Sequence, residues 1–468
     1  MPQSIAGTPC RARRLTRALT IIAALLFLAV IFAVFIEPRL LSNPAASAWS
    51  RAKYLSPQNP YQHYRAAASL LSKADRDALD YYQLQQSGHL PHDVKPITQT
   101  QYRQALIHLQ PAIAKFMIGA KLAPVDFQLP RKDYLPNTIF PEYEELRTLA
   151  RFVMVDANTK LAAGQPQAAI SELLALTRMA NQAGRGPSIQ GASAYREISA
   201  IGTVSLQRAI GQPSLGAADY RRIGRGLEDA YRLRPSLRAA IENEARYQQA
   251  KLDAGLSLGK DANQLFHDYI SDREATPLPD LSQEPTQFRA TRMILAGTPG
   301  LKLGITHSFA KTWQAAGIAT GKPYPDAIKF RMDDFGTKHG LICGGAGTAL
   351  VALNDHTLVL ADQLGVTLMA ALEAYRLEQD RYPASLSELV KGRYISQIPT
   401  DPFTRNQPFI YRKAADKYLL YSVGFNQKDD GGRAHRPKMF DQSYQGDILF
   451  VPGRDIWGGP VPQPANNR

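Results

Sequence analysis

Nine histidines and two cysteines are the side chains best suited to metal binding or nucleophilic chemistry in this chain. The histidines are scattered, without the close spacing that brings two or three imidazoles onto one ion, and read as surface or ordinary core residues. Cys343 sits in the apolar context Leu341-Ile342-Cys343, which suits an inert buried thiol better than an activated one. Neither a GxSxG elbow nor an HExxH pair occurs. Gly317-Ile318-Ala319-Thr320-Gly321-Lys322 resembles a phosphate-binding loop but is one residue short. It also ends in Pro323 where a hydroxyl should reach magnesium. Gly344, Gly345 and Gly347 do not make GxGxxG and read as a turn or tight packing site. The residue pattern therefore points away from an enzyme. A cell-envelope hydrolase built from distant, unassigned residues is the alternative.

The elements that would position any site begin with a membrane anchor. Ala18 to Ile36 reads ALTIIAALLFLAVIFAVFI, without a charge. At about 1.5 Å per residue this spans roughly the 30 Å hydrocarbon core. Arg11, Arg13, Arg14 and Arg17 precede it, and only Glu37 and Arg39 follow closely. This asymmetry predicts residues 1–17 in the cytoplasm and the bulk of the chain outside it, as in a single-pass protein of a bacterial inner membrane. A cleaved signal peptide is the competing reading, since Ala46-Ser47-Ala48 offers small residues. The apolar stretch is longer than a signal core, however, and that site lies well beyond it. Cys10 and Cys343 fall on opposite sides of the anchor and could not pair within one chain. The net charge of +14 is diffuse. With no basic run interleaved with aromatics, it fits an anionic lipid or wall surface rather than nucleic acid.

Residues 37–275 carry a helical pattern, clearest over Tyr61 to Leu71, Gln101 to Leu122, Tyr143 to Ala163 and Gln167 to Ala183. Two of these segments are joined by Gly164-Gln165-Pro166 and have small residues where they would cross. They resemble one tetratricopeptide-type hairpin, with no second copy at that family's period. A Pro-rich linker is expected over 276–287 and further helix over 288–355. Within the latter, Leu341 to Leu353 is too short to span a membrane and reads as a buried segment. Surfaces of this kind bind protein partners; no small-molecule substrate is indicated.

The segment 356–468 is predicted as a small α+β domain, giving a mainly α chain overall. An amphipathic helix from about Leu364 ends at Asp380-Arg381, and Ser385 with Glu388 has the spacing of a capping box. Ile398-Pro399-Thr400-Asp401-Pro402-Phe403 reads as a rigid turn. Gln407 to Arg412 and Tyr418 to Val423 read as strands around the turn Lys413 to Asp416, with Asp447 to Val451 as a third. In that order, ALEAYRLEQDRYPASLSELV, YISQIPTDPF, KYLLYSVGFNQKDDGG and GDILF resemble the globular domain of the major pseudopilin of type II secretion systems.

That resemblance covers about 90 residues and implies a long helix packed on a small antiparallel sheet, with calcium held before the last strand. Here the loop would be Ser422 to Asp447, with Asn426, Asp429, Asp430 and Asp447 as oxygen donors. The alternative for Asp429-Asp430-Gly431-Gly432 is an ordinary solvated turn. The basic insertion Arg433 to Tyr444 departs from the acidic loop the family uses. The chain also lacks a prepilin-peptidase site before its apolar stretch, and more than 300 residues separate that stretch from the pseudopilin-like helix. The expectation is thus a non-enzymatic, membrane-anchored envelope protein with a pseudopilin-like domain. An accessory component of a type II secretion or pilus-like assembly is a second reading.

Overall fold

The computed structural model describes residues 51–86, 88–123, 141–186, 189–242, 244–245, 249, 301–329, 347–434 and 446–452. The expected anchor over 18–36 and linker over 276–287 lie outside them. The described chain is mainly helical, with one small antiparallel sheet near its C-terminal end.

The first helices are α1 (Arg51–Leu55), α2 (Pro60–Ser69), α3 (Lys73–Gln86) and α4 (Gln99–Lys121). Asn59 caps α2, and Thr98 with Gln101 forms a reciprocal capping box on α4, so both starts are fixed by side chains competing for free N–H groups. Next come α5 (Pro141–Ala162), α6 (Pro166–Ala183), α7 (Ile189–Ala209) and α8 (Ala217–Arg232). Gly164 adopts φ 72° and closes α5, with the Gln165 N–H on the Lys160 carbonyl and the Gly164 N–H on that of Leu161. A residue with a Cβ is strained there, and the turn sends α6 back along α5.

A buried ionic group ties this pair to α4. Lys160 pairs with Asp156 at 2.6 Å and with Glu172, and Gln110 Nε2 donates to Asp156 Oδ1 at 2.8 Å. Burial pushes the Glu172 carboxyl up to about 7, against the pull of Lys160. A carboxylate taken out of water beside a second carboxylate holds its proton more tightly than it would in solution.

The later elements are α9 (Leu301–Thr320), α10 (Tyr324–Ala327), α11 (Gly347–Gln379), α12 (Leu386–Lys391), β1 (Ile410–Ala414), β2 (Lys417–Ser422) and β3 (Ile448–Leu449). Ala414 pairs with Lys417, leaving Ala415-Asp416 as a two-residue turn, and Tyr421 pairs with Leu449 in the order β1-β2-β3. The strands lie where they are expected on either side of the polar turn, shifted by a few residues.

Two expectations are corrected. The helix expected from Leu364 begins at Gly347, so the boundary drawn between 355 and 356 falls inside one continuous 33-residue helix. Amphipathic periodicity marks only a helix with a wet face, and α11 has little of one. Over the C-terminal part of the expected buried segment, Ala349, Ala352 and Leu353 are buried and Val351 is exposed, while 341–346 lie outside the described residues. The Ser385–Glu388 capping box does not form. Ser385 Oγ bonds Ser387 Oγ at 2.7 Å, and Glu388 instead accepts the Ala384 N–H at 2.8 Å.

Among the described residues, Ala349–Gln379 is the one stretch long and apolar enough to cross a membrane, yet 94% of its most apolar window is buried inside the protein. It packs on α7, α8, α9 and β2, and its buried residues belong to one core cluster with those of α2 to α8 and the sheet. Gly365 makes the helix–sheet contact possible, because a Cβ there would meet the Phe450 ring at 2.4 Å. The 33-residue helix is therefore shared between the helical body and the C-terminal cap.

Candidate functional site

The four residues expected to hold a cation lie in one loop, and the structure gives each of them partners. Asn426 Nδ2 donates to Asp430 Oδ2 at 2.8 Å, and Asn426 Oδ1 accepts the Lys428 N–H at 3.1 Å. Asp429 accepts from Tyr421 Oη at 2.7 Å, the Gly431 N–H at 2.9 Å and Arg412 at 3.2 Å. The Tyr421 bond, foremost, holds this carboxyl below its ordinary range. Asp447 is fully buried, and its two oxygens accept the Asp430 and Gly432 N–H groups at 3.3 and 2.7 Å. Burial raises its carboxyl despite these bonds.

The loop is thus braced by its own carboxylates as it stands. A cation would have to replace backbone N–H groups on Asp447 and the phenol on Asp429. Among the described residues, no group of three or more His, Cys, Asp or Glu side chains is gathered closely enough to hold a metal ion.

Asp401, in the turn read as merely rigid, is the pin of the cap. It is buried, and accepts the Phe403 N–H at 3.0 Å, Ser422 Oγ at 2.8 Å and the Val423 N–H at 3.0 Å. Burial raises its carboxyl above the usual range. Beside it Phe403, Phe425 and Tyr324 form an aromatic cluster with ring centroids 4.7 to 6.3 Å apart, which seats α10 against the cap.

A second site was not signalled by the sequence at all. Arg221 of α8 grips Glu378 near the end of α11 with two bonds, at 2.8 and 2.7 Å. It gives a further N–H to the Arg393 carbonyl at 3.2 Å and lies 4.0 Å above the Tyr394 ring. Tyr394 Oη donates to the same carboxylate at 2.8 Å. A planar guanidinium fork held by a carboxylate and stacked on a phenol is a geometry that lysine could not reproduce. These bonds, Arg221 first, hold the Glu378 carboxyl down to about 2. Next to it Glu388 accepts from Tyr375 Oη at 2.5 Å and Arg381 at 3.1 Å.

Together Arg221, Tyr375, Glu378, Glu388, Lys391 and Tyr394 line an open groove of about 510 Å³ where body and cap meet. Its walls are phenol rings and charges of both signs, suited to a polar peptide surface rather than an enclosed small molecule. Partners 157 residues apart in sequence leave no local signal.

Glu378 has a depressed folded-state value, so its contribution to stability is present above the unfolded value near 4.5 and is lost as pH falls toward 2. Arg221→Gln should therefore lower the thermal midpoint at pH 6 and flatten its decline between about pH 4.5 and 2. Thermal denaturation across that range reads both effects, and parallel acid limbs for the two proteins would show that the pair does not couple body to cap. No family model matches this chain, and neither does any curated protein or solved structure.

Proposed function

We propose that this chain is a non-enzymatic, membrane-anchored envelope protein whose tetratricopeptide-like helical body and pseudopilin-like cap act as one interaction module outside the cytoplasm. The observation that carries this reading is the continuous α11 with the Arg221–Glu378 clamp, which builds the groove from both parts at once. A docking surface assembled across a fixed junction presents one geometry to a partner and loses little freedom on binding. The helical anchor expected over 18–36 would hold that surface at a set height above the membrane.

The accessory-component reading is favoured by one specific feature, the order of the pseudopilin-like segments along helix, DPF turn and hairpin. A cap of that kind could lie against true pseudopilins without entering their helix. Calcium belongs to the same proposal, with Asn426, Asp429, Asp430 and Asp447 supplying its oxygen ligands once their present bonds are exchanged.

Two measurements test this. Affinity purification of tagged full-length protein from detergent-solubilised membranes should recover a partner in reproducible amounts, and Lys391→Glu with Tyr394→Ala should lose it. Secretion or pilus-like components in that fraction would select the accessory role, and recovery unaffected by the groove substitutions would contradict the groove as the docking surface. For calcium, the full chain should melt higher in excess calcium than in chelator, and Asp430→Ala should abolish the difference. Equal midpoints for the unsubstituted chain would remove calcium from the reading.

A further inference from the structure

The seam between α7 and α11 holds more buried oxygen than hydrogen-bond partners. Asp362 of α11 is 5% exposed, and its Oδ1 is buried with no partner. Gln363 Oε1 on the same seam is in the same condition, and the Tyr195 phenol has the Gln363 amide as its polar neighbour. Gln363 gives its amide N–H to Ser199 Oγ at 3.1 Å, and the Tyr195 ring lies beside His356 with centroids 5.6 Å apart. Leaving such atoms unpaired in a core is costly, which makes the cluster unlike the rest of this helix.

Charge on the seam is distributed unevenly. Arg196 of α7 pairs with Asp355 at 2.9 Å and, among the described residues, is the one cation whose field reaches Asp362. Asp355 and Asp362 stand seven residues apart, two turns along one face of α11, so Arg196 lies over two carboxyls and engages the outer one. Glu197 is held by Arg147 of α5. Arg234, just past α8, acts on Tyr195 and His356, while Lys311 of α9 is exposed. Asp326 of α10 is taken up by Arg405. Burial, with Arg234, keeps His356 neutral, bringing it down to about 4; burial pushes Asp362 up to about 8, with Arg196 opposing.

We propose that this seam is a proton-operated joint: while Asp362 is neutral α11 stays seated on α7 with Arg196 on Asp355, and release of the proton to solvent draws Arg196 inward and loosens the contact. The consequence follows from what the helices carry. The N-terminal half of α11 holds the seam and its C-terminal half holds the cap, so a change at Asp362 alters how firmly the cap is set on the body. This inference does not depend on the identity of the partner at the groove.

For a carboxyl raised on folding, stability is full below the unfolded value and is lost as pH rises through the folded one, here between about 4 and about 8. Between those two values opening of the seam should become easier by about tenfold per pH unit, levelling off above about 8, where the closed state has also ionised. Hydrogen exchange of the full-length protein, corrected for intrinsic chemical rates, tests this on segments 189–209 and 347–363 between about pH 6 and pH 9. Protection should fall steadily from about pH 6 to about pH 8 in the unsubstituted chain and level off above it, and should stay level throughout in Asp362→Asn, whose amide mimics the neutral acid. The protonated-carboxyl infrared band should contain a component titrating near pH 8, beyond that of Glu172 near 7, and this component should be missing from that variant. Identical exchange profiles, or no carboxyl titrating above about pH 7, would overturn the proposal. Should Asp362→Asn fail to fold, Arg196→Gln decides: removing the cation must move the titration midpoint upward, and an unmoved midpoint overturns the joint as well.

Discussion

A helix of 33 residues with apolar side chains on nearly every face must be covered along its whole length, and the described architecture follows from how α11 is covered. It is enclosed by α7 and α8, with α8 running along its length and α9 alongside, and it also receives β2 and the short α12. Val359, Val366, Leu368, Met369 and Leu372 are all buried, and each such side chain contributes roughly 1.5 to 3 kcal/mol by leaving water. Neither the body nor the cap could cover the helix alone, so the two parts stabilise each other through it. The run that satisfies a membrane criterion by composition is here satisfied by protein.

The polar contacts make that shared packing specific. Arg221 and Glu378 lie at one end of the α8–α11 pair, and Arg234 acts on His356 at the other, so the helices run antiparallel with their register marked at both ends. Apolar burial has no direction and would tolerate sliding, whereas a bidentate pair stacked on Tyr394 does not. Gly365 adds a steric marker, since only glycine leaves room for the Phe450 ring. In the cap, Asp401 and Asp447 act as interior acceptors that tie turn, strand and loop together through backbone N–H groups. Three unrelated kinds of contact thus fix one arrangement.

The sequence made the wet-faced helices legible. Alternating burial in α4 and α5 has the period of a half-exposed helix, and Gly164 with Pro166 marked the turn into the largely buried α6, so the limits of all three were read to within about two residues. The hairpin Ile410–Ser422 was legible from two short aromatic and aliphatic runs on either side of a polar turn. The start of α11 was not, because a helix buried all round carries no period and its glycine-rich lead-in imitated a break. The Ser385–Glu388 spacing was correct for a capping box, yet Glu388 was claimed by Tyr375 and Arg381, contacts that exist only after the helices meet. The loop residues Asn426, Asp429, Asp430 and Asp447 were found together, but their bonds to Tyr421, Arg412 and backbone amides belong to the folded cap. Arg221, Glu378 and Asp362 carried no local signal, since their significance comes from neighbours distant in the chain.

The central claim is that body and cap form one cooperative unit around α11. Hydrogen exchange of the full-length protein over a denaturant series, read separately on segments 166–209 and 410–422, measures this directly. The account predicts that both segments lose protection at the same denaturant concentration, in a single transition. Loss of protection in 410–422 at a distinctly lower concentration, with 166–209 still protected, would contradict it and make the cap a separately folding module.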